Sequence, residues 1–164
     1  MVGKSKKSSS RETVVILPDI RSALNVGSIF RTADAAGVSK IYLTGYTPAP
    51  VDKFGRVEKQ IAKTALGAEK NLPWEKASDV ARLLAKLKKT GFQIVAVEQD
   101  NRSIDYKKLK IGSKTAFVFG NETDGLPCKI LDKCDIIIEI PMRGQKESLN
   151  VAVSAGVVLF QALA

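Results

Sequence analysis

Three short phrases hold most of the residues able to do chemistry. Asn25-Val26-Gly27-Ser28-Ile29-Phe30-Arg31-Thr32-Ala33 sets an amide and a guanidinium six residues apart. Phe119-Gly120-Asn121-Glu122-Thr123-Asp124-Gly125-Leu126 places Glu122 in a loop flanked by Gly120 and Gly125. Ile140-Pro141-Met142-Arg143-Gly144-Gln145-Lys146-Glu147-Ser148-Leu149-Asn150-Val151 adds Ser148 and Asn150. Such groups can orient a polar ligand and hold a phosphate or a developing oxyanion. The chain has no histidine, which removes the commonest general base and the commonest metal ligand. Any chemistry here must therefore use Arg, carboxylates, hydroxyls or a bound cofactor.

The elements that carry these phrases follow from apolar spacing. Residues 13–17 are a short β-branched run ended by Pro18, a strand. Residues 22–36 have Val26, Ile29, Phe30 and Ala33 at helical spacing, with Gly37 as a C-terminal cap. Residues 40–44 form the next strand, giving a β-α-β opening and a parallel sheet. Residues 52–70 are polar and basic, with Phe54, Val57, Ile61 and Leu66 marking a weakly amphipathic element. Ser78 is a candidate cap for a helix to Lys89 that turns Val80, Leu83, Leu84 and Leu87 to the core, with Gly91 stopping it. Residues 92–97, 115–119 and 135–140 are strands, the last two so apolar that burial on both faces is expected. The last sixteen residues, 149–164, are an Ala/Val/Leu helix with hardly a polar residue. A helix apolar all round must be buried all round, which in a chain this small suggests a subunit interface.

Composition narrows the class. The 164 residues fit one domain, and 45% hydrophobic content is ordinary for a soluble globular fold. No apolar run reaches the roughly 18 residues of a membrane span. Residues 1–11 carry Lys4, Lys6, Lys7 and Arg11 among serines and read as a disordered basic tail rather than a signal peptide. The excess of 26 Lys+Arg over 17 Asp+Glu, a net +9, suggests a polyanionic partner such as nucleic acid. Cys128 and Cys134, in a short helix and loop, lack metal-site spacing and read as reduced, buried thiols of a cytoplasmic protein.

Singly, each phrase has an ordinary explanation. Asn25 could simply cap its helix and Arg31 be a solvated charge; Glu122 could be a turn carboxylate; Ser148 could cap the terminal helix, with Asn150 in its first turn. Neither the Gly-x-Gly-x-x-Gly dinucleotide motif nor the Gly-x-x-x-x-Gly-Lys-Ser/Thr phosphate loop occurs. Together, in order and separation, the phrases Asn-x-Gly-x-x-x-Arg-Thr-Ala, Phe-Gly-x-Glu-x-x-Gly-Leu and Ile-Pro-Met-x-Gly-x-x-x-Ser-Leu-Asn-Val resemble the SpoU (TrmH-like) RNA 2'-O-ribose methyltransferases of the SPOUT superfamily.

That resemblance implies an α/β fold, a parallel sheet flanked by helices, in a single domain over residues 12–164. Its C-terminal part, approximately 115–164, would be threaded into a deep trefoil knot, one of the exceptions to unknotted chains. It implies S-adenosyl-L-methionine as cofactor and a homodimer through the terminal helix; with no histidine and no cysteine cluster, no metal is expected. The catalytic residues fall on Arg31, Asn25, Glu122, Ser148 and Asn150. Cofactor contacts fall on Gly120, Ile140 and Leu149, with Met142 and Gly144 nearby and Val97 and Glu98 bordering the adenosine. The substrate would be a ribose of tRNA or rRNA. A non-catalytic RNA-binding knot protein and a base-modifying RNA methyltransferase are the alternatives. With so short a tail, RNA would be held by the catalytic domain and its dimer mate. Lys4, Lys6, Lys7, Arg21, Lys53, Arg56, Lys59, Lys63 and Arg143 are the candidate contacts.

Overall fold

Four consecutive apolar residues, Val14, Val15, Ile16 and Leu17, decide how the chain layers. In the computed structural model, which describes residues 10–164, they lie in strand β1 (Glu12–Pro18) and are all buried. Side chains alternate across a strand, so Val15 and Leu17 enter one core while Val14 and Ile16 enter another. Both faces of the sheet must therefore be covered. Helices α1 (Ala23–Ala36) and α6 (Val151–Leu163) supply Val26, Ile29, Phe30, Ala33, Ala155, Val158 and Leu159 to the first core. Helices α4 (Val80–Lys89) and α5 (Cys128–Leu131) supply Leu83, Leu84, Leu87, Ile130 and Leu131 to the second.

Among the described residues the sheet has seven strands in the order β3-β2-β1-β6-β4-β7-β5, and each paired neighbour is parallel. Strands β2 (Lys40–Thr44), β4 (Gln93–Val97), β6 (Lys114–Phe119) and β7 (Ile136–Glu139) match the sequence expectations within a residue or two. The edge strands β3 (Trp74–Ala77) and β5 (Ile104–Asp105) were not foreseen. β3 is the tetrapeptide Trp-Glu-Lys-Ala, exposed or half-buried, with no apolar alternation to announce it.

Several expectations need correcting. Residues 52–70 form two short helices, α2 (Lys59–Ala65) and α3 (Ala68–Asn71), rather than one amphipathic element. Of its marker residues only Ile61 is buried; Phe54, Val57 and Leu66 are exposed. The break falls at Leu66, whose φ of 53° caps α2 in the left-handed region. The cap of α1 is Ser22, whose side chain accepts from the Asn25 N–H, so Asn25 sits inside the helix and its side chain is free for other bonds. α4 is capped by Asp79, not Ser78, and α6 by Asn150, not Ser148. In each case the residue one or two places nearer the helix had the better reach to its first N–H groups.

The cysteines differ from one another. Cys128 is exposed, against expectation, and Cys134 is half-buried with its thiol on the Ile130 carbonyl. Burial, opposed by Lys88 and Arg102 and helped by Asp135, pushes the Cys134 thiol up to about 11. Near pH 8 iodoacetamide should therefore label Cys128 and spare Cys134, because the thiolate is the nucleophile. Peptide mapping reads the outcome, and equal labelling of both would contradict the placement of Cys134. Lys4, Lys6, Lys7 and most of the expected basic tail lie outside the described residues. No described helix is long and apolar enough to cross a membrane.

Candidate active site

Parallel strands bring their C-terminal ends to one edge, and the polar loops that follow them meet there. Val97 ends β4, Phe119 ends β6 and Glu139 ends β7, and Glu98, Gly120 and Ile140 directly follow them. With Glu122, Met142, Ser148 and Leu149 from the loops and Val151 and Ser154 from α6, they line one pocket. Of the expected cofactor residues, Val97, Glu98, Gly120, Ile140, Met142 and Leu149 are all in its wall, and Gly144 is not.

Glu98 explains how the wall is built. Its carboxylate accepts from the Leu126 N–H at 2.9 Å and from the Gln99 N–H at 2.9 Å, tying the loop after β6 to the end of β4. The Gln99 amide in turn donates to the Glu147 carbonyl, so the loop before α6 is held against the same strand.

Beside the pocket runs a chain of hydrogen bonds through three expected catalytic residues. The Asn150 side chain uses its oxygen to cap α6, accepting from Ala152 at 2.8 Å and Val153 at 3.3 Å. Its Nδ2 donates to Asn25 Oδ1 at 3.1 Å, and Asn25 Nδ2 donates to Glu122 Oε1 at 3.2 Å. Glu122 also accepts from the Arg21 N–H at 3.2 Å and the Ser22 N–H at 3.4 Å. Partial burial pushes the Glu122 carboxyl up, but these donors, with its own N–H, outweigh it and hold the group below the usual carboxylate range. The carboxylate also faces the start of α1, the positive end of the helix dipole. The network pins three segments far apart in sequence: the start of α1, the loop after β6 and the start of α6.

Arg31 is elsewhere. Three-fifths of the way along α1, it is exposed and lines a separate hollow with Ser28, Thr32, Ala35, Lys63, Thr64, Leu66 and Phe160. The six-residue step from Asn25 to Arg31 turns the helix by about 600°, so the two side chains leave on different faces. Ser148 lines the pocket without joining the hydrogen-bond chain.

Sequence reasoning missed Gln99, Asn121, Thr123, Glu139 and Ser154 in the pocket wall. Ser154 had a signal: it is one of two polar residues, with Gln161, in an otherwise apolar helix.

The charge of the wall is informative. Among the described residues, Glu98, Glu122 and Glu139 line it and no Lys or Arg does, in a chain of net +9. A pocket so lined favours a cationic ligand over a phosphate. Among the described residues, no cluster of His, Cys, Asp and Glu is grouped as metal ligands would be.

Comparison with known proteins agrees with this architecture. Residues 12–160 match the SpoU rRNA Methylase family. A Staphylococcus epidermidis protein assigned by name to the TrmH family of tRNA/rRNA methyltransferases is 33% identical over 96% of this chain and 61% of its own length. The chain thus spans less than two thirds of that relative. An S-adenosylmethionine-bound rRNA methyltransferase from Sinorhizobium meliloti superposes with a TM-score of 0.84 at 31% identity, covering 93% of this chain and 56% of that one. A TrmH/SpoU tRNA modifying enzyme from A. aeolicus gives 0.81 at 29% identity, covering 94% and 75%. With the family matched over residues 12–160, nearly all of the described length, the chain belongs to the SpoU rRNA methylase family.

Proposed function

We propose that this chain transfers a methyl group from S-adenosyl-L-methionine to a ribose 2'-hydroxyl of tRNA or rRNA. The observation that carries the reading is the carboxylate-lined pocket lying against the Asn25–Glu122–Asn150 network. The lining fits that cofactor. Val97, Phe119, Ile140, Leu149 and Val151 offer apolar surface for an adenine, while the surrounding carboxylates suit a sulfonium and an ammonium. When bound, the cofactor supplies a methyl group already activated by positive sulfur, so the protein must position the acceptor and help remove its proton. A solved neighbour described as an RNA 2'-O ribose methyltransferase, 26% identical with a TM-score of 0.81, supports ribose as the acceptor.

Roles divide accordingly. Glu122, Asn25 and Asn150 hold the ends of the two helices and the loop in register; Glu122, ionised at neutral pH, already accepts from three donors. Ser148, at the pocket lip, presents a hydroxyl to the reacting region. Arg31 binds the phosphate next to the target ribose or the developing alkoxide, because a guanidinium does not give up its proton to serve as a base. Lys63 in the same hollow adds a second positive charge.

We infer further that the enzyme is a homodimer. Within the chain α6 buries only Val151, Ala155, Val158 and Leu159; Val153 and Phe160 are half exposed, as are Leu149 just before it and Leu66 across the hollow. The helix is thus not buried all round, and the remaining apolar face is what a second copy would cover. Phe160 shares the hollow of Arg31, and Ser154 shares the pocket, so a copy seated on α6 lies between the two. Arg31 of one protomer would then serve the pocket of the other. A single domain over residues 12–164, knotted over about 115–164, fits the insertion of β6 between β1 and β4. Two free thiols fit a cytoplasmic location.

Calorimetry tests the cofactor directly. The protein, treated with EDTA and dialysed, should bind S-adenosylmethionine at a single site per chain with unchanged affinity. Loss of binding on chelation would overturn the metal-free reading, and no binding before chelation would overturn the function. Mass spectrometry of RNA from cells lacking the protein should show one 2'-O-methylated nucleotide missing, which would also name the substrate.

A further inference from the structure

Next to the Glu122 network the loops after β1 and β2 are locked together more tightly than their length requires. Asp19 is held in the left-handed region at φ 52°, a strained conformation for a residue with a side chain. Its Oδ1 accepts from the Tyr46 N–H at 3.1 Å. Gly45, at φ 61°, lies so close that a Cβ there would sit 1.8 Å from that same oxygen. The fully buried Thr47 hydroxyl accepts from the Ile20 N–H at 2.9 Å and donates to the Leu17 carbonyl at 2.7 Å. The Lys76 ammonium donates to the Thr47 carbonyl.

What these restraints hold is an aromatic ring and a cation, both out in solvent. Tyr46 is 54% exposed and Arg21 is exposed, and the influence of the Tyr46 hydroxyl raises the Arg21 guanidinium above its ordinary value. The negative charges of Asp124 and Glu122 raise it too, by smaller amounts. The pair stands at the site: Arg21 touches Glu122 through its backbone N–H, and Asn121 of the pocket wall approaches the Tyr46 hydroxyl at 3.5 Å.

Resting on the RNA methyltransferase reading, we propose that Tyr46 and Arg21 form a nucleotide platform for the substrate: the base flanking the target ribose stacks on the Tyr46 ring, and Arg21 takes its phosphate. The pocket wall repels phosphate with three carboxylates, so the anionic backbone must be met outside it, and Arg21 is the basic residue whose backbone N–H is bonded to the network there, leaving its guanidinium in solvent. A base accepts any aromatic face, and a planar guanidinium fits a phosphate with two parallel bonds. Fixing both beforehand spares the RNA complex the cost of ordering them. The partner is therefore single-stranded or splayed-out RNA, since a paired base would not present its face.

The test uses the full chain and a short fluorescein-labelled single-stranded RNA, read by anisotropy at several salt concentrations. Tyr46→Ala should weaken binding at least about fivefold, the lower bound for one lost base–aromatic stack. Tyr46→Phe should stay within about twofold of the wild type, since stacking needs no hydroxyl. Arg21→Ala should weaken binding and lower the salt slope by about one. Affinity for S-adenosylmethionine and the sedimenting mass should be the same in all three. The proposal is overturned if Tyr46→Ala binds RNA like the wild type, if Tyr46→Phe is as damaging as Tyr46→Ala, or if Tyr46→Ala changes the oligomeric mass, which would make the ring an interface residue. Wild-type protein that binds the cofactor but no RNA would sink the RNA reading itself, and is told apart because no variant is needed to see it.

Discussion

Arg31→Ala is expected to lower the rate of methyl transfer at least about 100-fold, the scale for removing one positioned electrostatic group from an active site. Cofactor affinity and thermal stability should hardly move. Both halves follow from where the residue sits. Arg31 is exposed on α1, enters none of the ion pairs among the described residues, and lines a hollow apart from the cofactor pocket. A surface side chain of that kind contributes within about 0.5 kcal/mol to stability. Its value is reserved for the negative charge that arrives with the RNA. Arg31→Lys should recover little, because the ammonium keeps the charge and loses the planar fork. Single-turnover transfer of a radiolabelled methyl group, with calorimetry on the same preparations, separates the two effects. Near-wild-type turnover by Arg31→Ala would make the residue a bystander and remove the mechanism proposed for it.

How much of this could be read before the fold was known depends on what each feature needed. The core strands announced themselves, since β1, β6 and β7 are apolar runs with little ambiguity. The edge strands did not, because β3 is paired along one side only and needs no apolar alternation. Helix caps were misassigned by one to three residues wherever two capable caps stood close together, as at Ser22 and Asn25 or Ser148 and Asn150. At the second pair the outcome matters: Asn150 caps α6 with its oxygen and so is left with an amide nitrogen to give Asn25. Residue type told that Asn25, Glu122 and Asn150 were polar groups in interesting loops. Only the meeting of segments 97 and 125 residues apart made them one network. The separation of Arg31 from the pocket was hidden for the opposite reason. Six residues along a helix look near in sequence, yet they turn the side chain away from Asn25.

That separation leads to the second large effect, which concerns assembly. If the exposed side of α6 is a dimer face, Phe160→Glu places a charge where about half of a phenylalanine should be covered. Burying an unpaired carboxylate costs several kcal/mol, more than the roughly 1.5–3 kcal/mol gained by burying such a side chain. Phe160→Glu and Val153→Glu should therefore sediment as monomers or aggregate at micromolar concentration, and both should lose methyl transfer with the dimer. A wild-type chain that sediments as a monomer would refute the interface. Complementation then asks which protomer supplies the arginine. Gly120→Val should obstruct the pocket, since even a Cβ there would lie 2.7 Å from Glu98 Oε2 and 2.9 Å from the Gly125 backbone. Alone, Gly120→Val and Arg31→Ala should each be inactive. In a doubly tagged heterodimer of the two, an arginine acting across the interface leaves one site with both defects and the other with neither. Such a heterodimer should regain about half the wild-type activity, as the two-fold symmetry of a dimer dictates. An arginine acting within its own chain leaves one defect in every site, and the heterodimer would stay inactive. That result would mean that Arg31 reaches the reacting hydroxyl only by a movement of α1 or of the RNA toward it.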